Sequence, residues 1–202
     1  MRCDLFRDTR IWKDVSSTFA IDVSDRLLTD ARQGKLDAFE RLYRLFERPA
    51  YTLALRLLGD PDDAREVLHD AMLGAFDRIG QYRGDSPFWA WLRQIVANTA
   101  LMRLRKRTRI SAVESEDSQL DTVAGRGGVS PILAAESVVL ERALARLPDI
   151  TRSVVWLYFV EGYSHAEIAG AMAQTVSFSK SQLSRGLARL RVLLDIEEVA
   201  HA

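Results

Sequence analysis

The sequence predicts an all-α protein of two small helical domains joined by a flexible linker, the second a helix-turn-helix domain. Three observations carry this. Apolar residues recur at i, i+3 and i+4 through most of the chain, and no stretch alternates convincingly at the period of a strand. The periodicity breaks over residues 110–129, ISAVESEDSQLDTVAGRGGV, where Ser, Asp, Glu and Gly dominate. Near the C terminus a short helix, a three-residue turn and a longer basic helix follow one another. The organisation expected is an N-terminal extension over 1–23, a helical domain over 24–109, the linker over 110–129, and the helix-turn-helix domain over 130–202.

Residues 1–23 hold scattered apolar side chains without a sustained period and read as a mobile extension. Ser24 suits the cap of a short helix ending near Gly34. Asp37 and Glu40 have the spacing of a capping box, opening a helix with Phe39, Leu42, Tyr43 and Phe46 on one face. Pro49 lies inside that pattern, so a kink or short break is expected before the helix resumes to Leu58. Gly59, Asp60 and Pro61 then read as stop, cap and helix-starting proline. Ala64, Val67, Leu68, Ala71, Met72, Ala75, Phe76 and Ile79 form the next apolar stripe. Asp62, Asp63, Glu66 and Asp70 decorate its outer faces, which by itself suits a solvated surface.

Gln81 to Arg109 opens with a turn and continues as a helix from Pro87, with Phe88, Trp91, Leu92, Ile95, Thr99 and Met102 expected on the buried face. No acid occurs between Ser86 and Val113, while Arg93, Arg103, Arg105, Lys106, Arg107 and Arg109 supply cations. Aromatic rings beside a basic helix suit unstacked bases, with rings stacking on bases and cations tracking phosphates. Tyr82, Phe88 and Trp89 are the candidate stackers, Trp89 foremost because it has no evident packing role. The same stretch also suits a core helix with a solvated basic end, and its residues alone leave both readings open.

Ser130-Pro131 repeats the cap-plus-proline start, before a helix carrying Ile132, Ala135, Val139, Leu140, Ala143, Leu144 and Leu147. Pro148 opens another, with Val154, Val155, Leu157 and Tyr158 mostly buried and Gly162 as its stop. Ser164 and Glu167 form a capping box for a short helix with Ile168, Ala169 and Met172. Ala173, Gln174 and Thr175 make the turn into a last helix bearing Lys180, Arg185, Arg189 and Arg191. That helix has two possible starts. Ser179 with Gln182 would cap locally, contributing about 1 kcal/mol, and would leave Lys180, Ser181 and Ser184 as readers. A start at Thr175 continues a buried stripe through Val176, Ser179, Leu183, Leu187, Leu190 and Leu194, and burying Val176 is worth roughly 1.5–3 kcal/mol. The Thr175 start is therefore preferred. It directs Phe178, Ser181, Gln182 and Arg185 to a major groove, with Gln182 set to read adenine and Phe178 a thymine methyl.

Composition limits the function. The 202 residues carry 28 Lys+Arg against 28 Asp+Glu, so attraction to nucleic acid must come from local patches. Cys3 is the one cysteine, which excludes an intramolecular disulfide and a cysteine metal site. His69 has no second histidine near it, and there is no phosphate-binding glycine loop. The expectation is no catalytic residue, no metal and no cofactor. Without a long apolar run or a signal-peptide core, the chain is expected to be cytoplasmic and not inserted in a membrane.

Together these stretches resemble a bacterial RNA polymerase sigma factor of the extracytoplasmic-function class, from about Asp25 to Leu194. RGDS at Arg83 to Ser86, Phe88, Trp91-Leu92, Ile95 and Asn98 sit where members carry a phe-arg-gly-asp-ser loop followed by trp-leu, ile and asn. In the second domain LPD at Leu147 to Asp149, EGYS at Glu161 to Ser164 and EIA at Glu167 to Ala169 match at family spacing without a gap. The resemblance implies that the first domain melts and captures the −10 promoter element through Tyr82, Arg83, Phe88, Trp89, Asn98, Arg103, Arg105, Lys106 and Arg107. It implies −35 reading by Thr175, Phe178, Lys180, Ser181, Gln182, Arg185 and Arg189. It also gives the acidic helix a partner, core RNA polymerase, through Asp63, Glu66, His69 and Asp70. Promoter DNA is the second partner, and an anti-sigma factor is a further one the resemblance allows.

Departures from the family pattern are local: His69 for the usual Gln, Met72 for an aromatic, Gln94 for a basic residue, Ser179 for a buried Val and Gln182 for a basic residue. Two other functions stay open at this level, a helix-turn-helix regulator acting without polymerase and a degenerate homologue acting as an interaction protein. The first leaves the aromatic-basic stretch and the acidic helix unexplained, and the second has only the unusual last helix in its favour.

Overall fold

The computed structural model describes residues 19–114 and 135–200, and the described residues contain eight α-helices, one 3₁₀ turn and no strand. The first four helices are α1 (Asp25–Arg32), α2 (Leu36–Leu58), α3 (Pro61–Asp77) and α4 (Phe88–Glu114), with the 3₁₀ turn Ile79–Gln81 before α4. The last four are α5 (Ala135–Ala145), α6 (Asp149–Phe159), α7 (His165–Met172) and α8 (Val176–Ala200). The Ser130-Pro131 start and most of the expected linker lie outside the described residues. Residues 110–114, expected in that linker, are instead the last turn of α4.

Ser24 caps α1, accepting from the Leu27 amide. The Asp37–Glu40 capping box does not form. α2 starts at Leu36 behind Lys35, which makes no side-chain cap, and Glu40 pairs with Arg44 one turn on. Pro49 interrupts neither the helix nor its burial, so the expected break is absent and α2 runs unbroken to Leu58. Gly59 takes φ 72° and closes the helix, and Asp60 accepts from the Asp62 and Asp63 amides to open α3 around Pro61.

Leu42, Phe46, Leu53 and Leu57 of α2 meet Ala64, Val67, Ala71 and Met72 of α3, and α4 covers both with Leu92, Val96, Ala100, Leu101 and Leu104. The buried face of α4 is therefore centred about one residue away from the stripe expected, and Met102 is 60% exposed. At the start of the described chain Phe19 is 1% exposed and stacks on Phe46 with ring centroids 6.2 Å apart. Phe19, Ile21 and Val23 thus belong to this core and not to an extension.

In the second group Leu140, Ala143, Leu144 and Leu147 pack with Val154, Val155 and Leu157 of α6 and with Leu183, Leu190 and Leu193 of α8. Gly186 lets α8 close on α6, since a Cβ there would meet Val155 Cγ2 at 2.6 Å. The order along α6 differs from the expectation in one respect. Trp156 is buried, whereas Tyr158, expected inside, is 36% exposed with its ring stacked on His165.

Candidate nucleic-acid interface

The loop before α4 is built inward. Tyr82 donates its hydroxyl to the Ser86 carbonyl at 2.6 Å, and Arg32 holds the Tyr82 carbonyl from α1. The Tyr82 and Phe88 rings meet edge to face at 5.5 Å, and Phe88 also contacts Phe46 and Trp91. Tyr82 and Phe88 are 8% and 4% exposed, so neither offers a face to a base in this arrangement. Both expectations as stackers are corrected: the aromatics recur at spacing that closes a small aromatic core under the loop. Trp89 points elsewhere, partly exposed, with the Arg93 guanidinium 5.3 Å from its ring. Arg83 lies exposed on the loop, and Asn98 is half-buried on α4.

The basic end of α4 does not face one way. Arg103 and Arg107, one turn apart, both turn onto α3. Arg103 pairs with Asp63 at 2.7 Å and also with Glu66, while Arg107 pairs with Asp63 at 3.2 Å. Glu66 and then Asp63 hold the Arg103 guanidinium above its ordinary pKa. Cations expected on phosphate and acids expected on a protein partner thus meet each other. Arg105 is half-buried, and Lys106 and Arg109 are exposed. On α3, His69 and Asp70 are exposed. His69 Nδ1 lies 2.7 Å from the Arg65 carbonyl, and its ring is 6.4 Å from that of Tyr43.

The last helix starts at Val176 behind Thr175 and not at Ser179. Thr175 Oγ1 accepts from the Phe178 amide at 3.1 Å, and Ala173, at φ 50°, makes the turn after α7. Ser164 and Glu167 close the expected capping box on α7, and Ser164 holds the Glu167 carboxyl below its ordinary pKa. Val176 is 42% exposed, so its burial was not what decided the start. Ser179 is fully buried, and its hydroxyl lies 2.9 Å from His165 Nδ1. Gln182 turns inward as well, since Thr151 of α6 donates to its amide oxygen at 2.8 Å. This corrects its expected place at the groove. The exposed row on α8 is Ser177, Lys180, Ser184, Arg185 and Arg189, with Phe178 and Ser181 half-buried beside it. Ser181 Oγ accepts from Arg185 Nη2 at 2.8 Å and fixes that guanidinium.

Residues 42–110 match the Sigma-70 region 2 family, and residues 137–190 match Sigma-70 region 4. The chain is 34% identical over 157 residues to the ECF RNA polymerase sigma factor SigM of Mycobacterium tuberculosis, covering 78% of this chain and 77% of that one. The chain belongs to the ECF sigma factors. It directs RNA polymerase to promoters. It is also 25% identical over 179 residues to the ECF sigma factor SigW of Bacillus subtilis, covering 81% of this chain and 92% of that one. Among solved structures, the sigma factor RpoE of Bartonella quintana, crystallised with the anti-sigma factor NepR, has the same fold. Its TM-score is 0.52 at 23% identity, with 80% of this chain and 99% of that one covered. No helix among the described residues is long and apolar enough to cross a membrane.

In this sigma factor the two helical groups touch through polar groups that sequence reasoning missed. Arg152, 3% exposed, donates to the Arg56 carbonyl at 3.1 Å, to the Leu57 carbonyl at 3.3 Å and to Asp149 at 2.8 Å. Ser153 also donates to the Leu57 carbonyl, at 2.9 Å. These carbonyls belong to the last turn of α2, where helical partners run out and a cation is favoured. Burial pushes Arg152 down to about 10, so it stays charged at neutral pH. Arg107 reaches across from α4 to Asp149, and Arg56 pairs with Glu141 at 2.8 Å. Glu161, 4% exposed, accepts from Trp156 Nε1 at 3.1 Å and pairs with Arg93 at 3.3 Å. One signal was available: a charged residue inside the apolar run of α6 needs a partner.

Proposed function

We propose that this sigma factor, when free, is held closed by contacts between α1–α4 and α5–α8, and that it engages core polymerase and promoter DNA with these two groups parted. The observation that carries the reading is the polar contact between the two groups. Arg107 of α4 pairs with Asp149 of the second group, and Arg152 and Ser153 of α6 hold the Arg56 and Leu57 carbonyls at the end of α2. In the separated state Asp63, Glu66, His69 and Asp70 dock on core polymerase. Trp89 and Asn98, with Arg83, Arg103, Arg105, Lys106 and Arg107, engage the −10 element as single strand. Ser181, Lys180, Arg185 and Arg189, with Phe178 on the flank and Thr175 at the helix start, meet the −35 element. The two units taking these tasks in this reading are residues 19–114, beginning five residues before the expected 24 and ending beyond the expected 109, and the C-terminal group expected over 130–202.

The chain carries no chemistry of its own in this reading and acts in the cytoplasm, where polymerase and promoters are. An anti-sigma factor would act by stabilising the closed arrangement. The test is transcription from a cognate promoter with purified core polymerase. Reversing Glu66 and Asp70 to Lys is expected to abolish transcription and weaken binding to core polymerase. The Glu66 side chain is 59% exposed and Asp70 is exposed on the same helix, so folding is retained. Unchanged affinity at moderate salt would remove α3 from the docking surface.

A further inference from the structure

Between α2 and α3 lies an open groove of about 830 Å³ lined by Leu36, Phe39, Tyr43 and Phe76, with the paired Glu40 and Arg44 and the acid Glu47 along it. Leu36 is 79% exposed, and the Phe39 and Phe76 rings meet at 4.7 Å with one side of each open. Leu73, 63% exposed, lies one turn before Phe76 on α3. Scattered surface apolar residues need no explanation, but these are grouped, and the groove can hold several side chains of a peptide. None of the residues assigned to polymerase or DNA lines it.

We propose that the groove is the docking site of the chain's own residues 5–12, Leu-Phe-Arg-Asp-Thr-Arg-Ile-Trp. The tether favours it. Phe19 is fixed on Phe46 of α2, and Leu36 lies ten residues back along that helix, about 15 Å. The seven residues from Trp12 to Phe19 can span roughly 23–25 Å, so Trp12 reaches the whole groove. A tether this short keeps the segment at a high effective concentration. The chemistry also matches. Leu5, Phe6, Ile11 and Trp12 are apolar side chains of the kind the groove would take, and Arg7 and Arg10, with Lys13 just beyond the segment, carry charge opposite to Glu47 and to Asp37 at the start of α2. Neither of those acids is in an ion pair among the described residues. The groove adjoins the acidic face, because Tyr43 is the ring beside His69. A seated segment therefore competes with core polymerase, a consequence that rests on the docking role of α3 given above.

Cys3 is the only cysteine, so a nitroxide can be placed there on the full chain without other changes. The label is expected to broaden the amide signals of residues 36–47 and 73–77, and Trp12→Ala or Leu36→Asp is expected to abolish the effect. Leu36 is exposed at the start of α2, where an acid is tolerated. Broadening centred on another element, absent altogether, or unchanged by both substitutions overturns the proposal. So does broadening that persists at equal strength when the nitroxide and the isotope label are on separate chains, which would make a second copy the occupant. Trp12→Ala is further expected to tighten core polymerase binding by the inverse of the fraction of molecules with an open groove. Unchanged polymerase affinity despite the expected broadening would leave the groove occupied and refute the polymerase-docking role of α3 instead.

Discussion

Replacing Asp149 with Ala should open the protein while leaving each half folded. Asp149 sits between two guanidinium groups, accepting from Arg152 at 2.8 Å and pairing with Arg107 from α4. Without it Arg107 keeps Asp63, but Arg152, whose side chain is 4% exposed, stays buried with only carbonyl partners and a cation nearby. Removing one partner of a buried pair costs about 3–5 kcal/mol. Carbonyl contacts that remain reduce this to about 2–4 kcal/mol, applying the usual worth of a charged hydrogen bond. Separation of the two groups hydrates Arg152 and removes the cost, so the loss falls on the closed arrangement. At about 1.4 kcal/mol per tenfold, the closed-to-open equilibrium moves roughly 30- to 700-fold. The assay is small-angle scattering on the full chain: the radius of gyration should rise while helical circular dichroism stays within that of the parent. A variant that stays as compact as the parent but unfolds at lower denaturant would show that Asp149 stabilises the fold and not the closure.

Two further outcomes follow from the same contacts. Trp89→Ala should weaken binding of the polymerase complex to a pre-melted promoter fork by about 1–3 kcal/mol, with little change on intact duplex; an equal loss on both would make Trp89 a packing residue. Tyr163 ionises late, because burial pushes its hydroxyl up from 10.0 to about 12. An acid with a raised folded pKa gives a contribution that is intact below pH 10 and is lost as pH rises towards about 12, so the folded state should weaken over that window. Ultraviolet titration should show a late-ionising tyrosine in the parent that is absent from Tyr163→Phe.

Much of this was legible in the sequence where local rules act alone. The caps Ser24, Asp60 and Ser164, the stop at Gly59 and the start at Thr175 are set by groups a few residues apart, and each is where its local chemistry places it. The Asp37–Glu40 box does not form: the helix starts two residues earlier, at Leu36, and Glu40 pairs forward with Arg44. The site was less legible. Tyr82 and Phe88 have the composition of a stacking surface, yet only the return of α1 and α2 over the loop decides that they pack. Gln182 reads as a base reader until Thr151, on another helix, takes its oxygen. Ser179 and His165 are each odd alone and satisfy one another across the turn. The charge sharing among Asp63, Arg103, Arg107 and Asp149 is a tertiary fact, invisible to any window along the chain.

The closure itself is tested most directly by distance. With Cys3→Ser, labels can be placed through Asp77→Cys on α3 and Ser177→Cys on α8, both exposed. Energy transfer between them should be high in the free protein and should fall when saturating core polymerase is added without DNA. Transfer that is low in the free chain, or that does not change on polymerase binding, would contradict a sigma factor whose two helical groups close on each other when free.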